Sequence, residues 1–191
     1  FKNKNLDQLN GMWSFAHYNE EKHELLLSRD LLGERHLFYS VENNELIFCS
    51  EPKPILLASL KEHQFDFNSI IFSWKFNSCS PKKTLIKDLY RLQPGTNLIL
   101  KNKSISFEKF QKLRPEKWFD FFKKKPSIKE VDKEFEAILQ TEMNLRIPEE
   151  IAFSTPLSGG IDSAILVNFM KKKVKYLKTH YAISNKEQEH Q

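Results

Sequence analysis

Two cysteines, five glycines and three methionines in 191 residues narrow the chemistry available to this chain. Cys49 sits in an apolar stretch, LIFCS, and Cys79 in a polar turn before Pro81. Neither has metal-ligand spacing, and two thiols build no disulfide framework. Reduced thiols and a cytoplasmic location are expected. The six histidines are scattered, with no pair at helical metal-binding spacing. No apolar run approaches the roughly 18 residues of a bilayer span, and FKNKNLDQLN lacks the apolar core of a signal peptide, so no membrane partner is expected. Acidic residues are outnumbered 25 to 30, giving a formal charge of +5. The lysines are dispersed beside acids and aromatics, however, and the clusters Lys123 to Lys125 and Lys171 to Lys173 fit a linker and a helix C-terminus, where cations favour the dipole. Nucleic acid is not an expected partner. The chain opens on Phe1 and closes in SNKEQEHQ, and both ends are expected to be cuts through a longer protein.

What is present falls into two patterns. From Gly11 to Ser50, MWSFAHY, HELLLSRD, HLFYSV and ELIFCSE read as four strands about ten residues apart, which predicts consecutive antiparallel pairing. Pro52 with Ile55 to Ala58 predicts a short helix, and Asn68 is expected to cap a second one carrying Ile70, Ile71, Trp74 and Phe76. After Pro94-Gly95, NLILK and SISFEKF predict a hairpin across Asn102-Lys103. Residues 112–127 mix proline, lysine and aromatics and read as a linker, with Trp118, Phe119, Phe121 and Phe122 anchoring it to a surface. From Ile128 the period changes: Ile128, Val131, Phe135, Ile138, Leu139 and Met143 mark one face of an amphipathic helix. IAFSTPL then reads as a strand, Ser163 to Lys172 as a helix and YLKTHYAIS as a second strand. That order opens a parallel α/β sheet.

The chemistry concentrates in Ser158-Gly159-Gly160-Ile161-Asp162-Ser163, where strand meets helix. Paired glycines let backbone approach a phosphate with no Cβ in the way. Amides of the loop and helix N-terminus then point at the anion. Ser158 and Ser163 offer hydroxyls, and Asp162 is placed to hold magnesium or to cap the helix. A plain strand-to-helix turn with Ser and Asp capping would use some of the same residue types. The other phosphate-loop signatures, Gly-x-Gly-x-x-Gly and Gly-x-x-x-x-Gly-Lys-[Ser/Thr], are absent.

The six-residue string resembles the pyrophosphate loop of the ATP pyrophosphatases, among them asparagine, GMP, NAD and argininosuccinate synthetases, and alone it does not choose among them. The upstream half does. LNGMWSFAHYNEEKHELLLSRDLLGERHLFYS, then LIFCSE and TLIKDLYRLQPGTNLIL, resemble the later glutaminase segment of glutamine-hydrolysing asparagine synthetases, in order and over about residues 6 to 183. All five glycines fall where that family also has glycine. His36 stands where the family usually has proline, and Ala164 where it often has a second serine.

The resemblance implies an α+β glutaminase part of the N-terminal-nucleophile type over 1–111, incomplete, a linker over 112–127, and the start of an α/β parallel-sheet ATP pyrophosphatase domain over 128–191. It implies ATP and magnesium as cofactors, with Leu157, Ser158, Gly159, Gly160, Ile161, Asp162, Ser163 and Ile183 at ATP or pyrophosphate. Leu157 and Ile183 would flank the adenosine, or serve only as buried strand residues. Expected substrates are glutamine and aspartate, the latter amidated through an acyl-adenylate with release of AMP and pyrophosphate. Another carboxylate, as in surface-polysaccharide or β-lactam relatives, a different ATP pyrophosphatase, and a non-catalytic nucleotide-binding module are the alternatives. Association with further copies of the chain is left open. The family's nucleophile is an N-terminal cysteine, which has no counterpart at Phe1, so no catalytic glutaminase residue is expected within these 191. Arg29 and Asp30 read as a structural ion pair. Residues 128–191, with two strands and one helix, are expected to be the less stable half, leaving Ile151, Phe153, Leu157, Tyr181 and Ile183 short of partners.

Overall fold

The computed structural model describes residue 6 and residues 8–110, 115–147 and 152–181. The chain divides into two compact units, Phe1–Arg114 and Pro115–Gln191.

In the first unit, aromatic and aliphatic runs form β1 (Ser14–Asn19), β2 (Glu24–Arg29), β3 (Phe38–Glu42) and β4 (Glu45–Cys49). Pro52 begins α1 (Pro52–Ala58), a position where its missing N–H costs nothing. There follow α2 (Phe67–Phe76), β5 (Tyr90–Arg91), β6 (Thr96–Lys101) and β7 (Ser104–Lys109). All pairings among these strands are antiparallel, but the four leading strands do not form one sheet. They split into a sheet of order β1-β2-β6-β7 and a second of order β4-β3-β5. The loop between β2 and β3, with its turn at Gly33, carries the chain from one sheet to the other. Periodicity alone does not reveal such a switch.

Two-residue turns set the register of two hairpins. Asn43-Asn44 joins β3 to β4, and Asn102-Lys103 joins β6 to β7, as predicted, with both central residues of each turn at positive φ. That backbone matches the right-handed twist of the flanking strands. The core lies between the sheets: Leu27 and Leu98 from the four-stranded sheet meet Leu37, Tyr39 and Leu92 from the other side. On the outer face of the smaller sheet Phe38, Ile47 and Cys49 pack on Ile55 and Leu56 of α1. Helix α2 begins earlier than the Asn68 cap expected. Asp66 is the N-cap and accepts from Ser69 N–H at 3.2 Å, because its carboxylate reaches the third helical amide.

The second unit opens with α3 (Glu116–Lys123), inside the stretch read as a linker. Trp118, Phe121 and Phe122 recur at helical spacing and, with Val131, Phe135 and Ile138 of α4 (Ile128–Arg146), line an apolar cleft of about 350 Å³. Helix α4 starts with a reciprocal capping box: Glu130 N–H donates to Ser127 Oγ, and Ser127 N–H to Glu130 Oε2 at 2.7 Å. Its Leu139 and Met143 pack, with Ile147, on Phe169, Met170 and Val174. Those residues belong to or follow α5 (Ile161–Lys173), which connects β8 (Phe153–Pro156) to a parallel β9 (Leu177–His180). Lys173 Nζ donates to the carbonyls of Met143 and Asn144, at 3.3 and 2.9 Å, so one of the clustered lysines caps the end of α4. No helix among the described residues is long and apolar enough to cross a membrane.

Candidate functional site

Strand β8 runs into the glycine loop, and the loop into α5. Leu157, half-buried, extends the parallel pairing by donating its N–H to His180 O at 2.8 Å, so the loop leaves from the carboxyl edge of the strand pair. In α/β sheets, ligands gather at that edge. Ile183 lies outside the described residues. Ser158, Gly159, Gly160, Ile161 and Asp162 are exposed and Ser163 is half-buried. Leu157 through Ser163 are thus contiguous at one edge.

The two glycines differ. Gly159 has φ +80°, a conformation that side chains resist, so the turn itself calls for glycine there. Gly160 has φ −77° and ψ 159°, extended backbone open to any residue, and serves as the N-cap of α5. A Cβ on Gly159 would meet nothing within 4 Å, and one on Gly160 only Ser158 Oγ at 3.4 Å. Nothing within the described chain therefore demands glycine at 160. A close approach from outside would.

Gly160 brings no side chain to cap α5. The first intrahelical bond is Ala164 N–H to Gly160 O at 3.1 Å. The amides of Ile161, Asp162 and Ser163 precede it, in the first turn, where α-helix geometry provides no intrahelical acceptor. They face the exposed loop with the positive end of the helix dipole behind them. Chemically this arrangement suits an anion. Asp162, exposed in the same turn, is the one carboxylate of the loop. Among the described residues no group of three or more His, Cys, Asp or Glu could hold a metal by itself. A magnesium ion here would take most of its ligands from phosphate oxygens and water, the mode in which one carboxylate suffices.

The first unit holds a second polar centre, whose partners sequence reasoning missed. Arg29 and Asp30, read as an ion pair, each engage backbone instead. Arg29, 3% exposed, donates through Nε to Arg35 O at 2.7 Å, through Nη1 to Leu92 O at 2.6 Å, and through Nη2 to Gly33 O. Asp30, 2% exposed, accepts N–H groups of Leu32, Glu34, Arg35 and Trp13 at 3.0–3.3 Å. Arg29 ends β2 and Asp30 follows it into the loop, where the two side chains are drawn to different backbone partners. Burial would raise the Asp30 carboxyl, but the amides of Arg35, Glu34, Trp13 and Gly33 hold it below the usual carboxylate range. Burial lowers the Arg29 guanidinium, as does Arg91, against the opposing pull of Asp30. The signal in the sequence was Gly33. Its φ is +67°, and a Cβ there would lie 2.7 Å from Pro94 and 2.8 Å from Arg29.

Antiparallel sheets with flanking helices, tied by this buried centre, give the first unit an α+β architecture compatible with a glutaminase domain. A family model described as the glutamine amidotransferase domain matches residues 2–111, more than half of the chain, and the chain belongs to that family. Its similarity to glutamine-hydrolysing asparagine synthetases continues through the second unit. It is 26% identical over 175 residues to the putative asparagine synthetase 2 of Methanocaldococcus jannaschii, covering 91% of this chain and 33% of the relative. It is likewise 26% identical over 183 residues to asparagine synthetase 1 of Bacillus subtilis, covering 94% and 27%. An amidase, chry2, of Gibberella zeae is 26% identical over 172 residues, covering 89% and 25%. The chain spans a third or less of the length of these relatives.

Proposed function

We propose that the protein is a glutamine- and ATP-dependent amidotransferase that converts a carboxylate, aspartate in the first instance, to its amide. Glutamine would be hydrolysed to glutamate and ammonia by the amidotransferase part. A carboxylate oxygen of the acceptor would attack the α-phosphorus of ATP as pyrophosphate departs, and ammonia would then displace AMP from the acyl-adenylate. The observation that carries this reading is one chain holding both a glutamine amidotransferase match and, after it, the Leu157–Ser163 loop at the carboxyl edge of a parallel strand pair. Gly160 supports it further, since its missing side chain serves no contact within the described chain.

In this reading the first-turn amides of α5 hold the pyrophosphate through the reaction, already oriented before charge develops on it. Gly159 turns the backbone and Gly160 leaves room for the phosphate oxygens. Leu157 and Ile183 flank the adenosine. Bound magnesium would neutralise charge on those oxygens, with Asp162 as the protein carboxylate nearest the task. The cytoplasmic location expected from the reduced thiols belongs to the same reading. A different acceptor carboxylate is the second reading, favoured by the similarity to a relative named an amidase rather than a synthetase.

Gly160→Val in the full-length protein is the first test. It leaves a backbone conformation valine can adopt, and is expected to lower ATP-dependent synthesis by about a hundredfold or more while glutamine hydrolysis persists. Unchanged ATP affinity in that variant, by calorimetry, overturns the phosphate-loop assignment. Pyrophosphate release measured over a panel of carboxylates then decides the acceptor. Release with aspartate alone supports the first reading, and release only with another acid supports the second.

A further inference from the structure

Helix α2 is amphipathic in the reverse sense to an ordinary surface helix. Behind the Asp66 cap, the residues it turns toward its own unit are Ser69, buried, and Ile70 and Ser73, half-buried. Its outward arc holds Phe67, Ile71, Phe72, Trp74 and Phe76, 38–88% exposed, with Asn68 and Lys75 as the polar groups among them. A surface helix normally packs its apolar stripe inward and hydrates its polar one. At about 200 Å² for a large side chain, those exposures leave roughly 600 Å² of apolar surface on three turns of helix. A patch of that size on a folded unit marks an interface. We propose that α2 is a dimerisation helix, which packs antiparallel on α2 of a second copy of this chain across a two-fold axis between Ile71 and Phe72.

Area and polarity both point to a second copy. Two such patches joined remove roughly 1,200 Å² from water, where specific interfaces begin, and a two-fold contact needs only this one surface. The polar groups then match. Asn68 and Lys75, seven residues apart, lie on one line down the middle of the exposed arc, with Ile71 and Phe72 between them. An antiparallel two-fold mate sets Lys75 of each copy opposite Asn68 of the other, so the ammonium donates to the side-chain carbonyl twice over. The same register sets Phe67 opposite Phe76 and Ile71 opposite Phe72. The two lysines stand about 10 Å apart along the axis, too far to repel strongly. Lys75 Nζ already lies over the Phe76 ring, 5.6 Å from its centroid, at the end where the other copy's Asn68 arrives. A flat apolar surface with no matching polar groups would strand both side chains at a desolvation cost. Trp74, 88% exposed at the flank of the arc, is the kind of anchor that dominates interface energies.

Sedimentation equilibrium of the full-length protein tests this, with circular dichroism to verify that each variant is folded. A dimer with a Kd of about 10 μM or tighter is expected. Trp74→Glu, at a solvent-facing position, should weaken association about thirtyfold or more. Asn68→Glu sets a carboxylate against Lys75 of the other copy and should tighten the dimer about threefold. Asn68→Lys sets two ammonium groups together and should weaken it by a similar factor. A full-length protein that stays monomeric up to about 100 μM overturns the proposal, and a Tm lowered by Trp74→Glu in that monomer would assign the helix to the rest of its own chain. A dimer indifferent to Trp74→Glu overturns it as well. Asn68→Glu and Asn68→Lys shifting the affinity in the same direction would overturn the antiparallel pairing.

Discussion

The two units bury their apolar residues to different depths. In the first, Leu27 and Leu98 are 0% exposed and Ile55 and Leu92 1%, closed between two sheets or beneath a helix. In the second, the five buried core residues stay at 7–9%. One face of the β8–β9 pair packs on helices through Phe153 and Leu177, whereas Ser154, Pro156, Lys178 and His180 are exposed. Tyr181 is exposed as well, and α5 presents Ile161 and Leu166 to solvent. Parallel strands are ordinarily covered on both faces. Sheet-on-sheet packing closes a core with few elements, while among the described residues the β8–α5–β9 unit, backed by α4, leaves the other face of its strands exposed.

Substitutions can sharpen or break that contrast. Asp30→Ala, which strands four amides around a buried carboxylate site, is expected to be the most damaging, at on the order of 3–4 kcal/mol by urea denaturation. A loss under about 1 kcal/mol would mean that water replaces the carboxylate and that the centre is not a keystone. Leu27→Ala should cost about 3 kcal/mol and Met170→Ala about 2 kcal/mol, because the shallower site relaxes more readily around the gap. Equal costs would abolish the distinction between the two cores.

Titration offers a gentler probe of the same contrast. The Asp30 carboxyl is depressed in the folded chain, so its contribution is fully present above the unfolded value of about 3.9 and is lost as pH falls through the folded one. Acid should therefore loosen the first unit by a route that Asp30→Ala removes, and an identical acid profile for variant and parent would contradict this. At the other extreme, burial and then Tyr90 push the Tyr39 hydroxyl up to about 12. Its contribution is intact below about pH 10 and fades between there and about 12. Tyr39→Phe should flatten that alkaline loss. The smallest expected effect is Ser127→Ala, about 1 kcal/mol from the α4 capping box, seen as a drop in helicity confined to the second unit. Helicity unchanged within error would show that α3 and α5 hold α4 in place without its cap.

Much of this was legible in local chemistry. Asn102-Lys103 marked a hairpin because few other arrangements place two turn residues between alternating strands. The period shift at Ile128 marked α4, and the paired glycines marked the loop. What escaped depended on distant partners. That β2 and β3 belong to different sheets is decided by β6 and β5, some seventy and fifty residues away. The helix in the stretch read as a linker escaped because Pro115 and the lysines signalled a break more loudly than Trp118, Phe121 and Phe122 signalled a face. Arg29 and Asp30 were recognised as structural, but an adjacent opposite-charge pair in sequence says nothing of carbonyls and amides supplied by Leu92, Gly33 and Trp13.

The same centre carries a consequence for the order of folding. Arg29 reaches Leu92 O across 63 residues, and Gly95 N–H donates back to Asp30 O across a similar span. Contacts of such separation must wait for a long loop to close, whereas the β1–β2 and β6–β7 hairpins join neighbours. The junction is therefore expected to form after the rate-limiting step. Changes at Arg29, Asp30 or Gly33 should leave the refolding rate nearly untouched and appear as faster unfolding. The centre would then act as a latch on the finished first unit, setting how long it stays folded rather than how quickly it gets there.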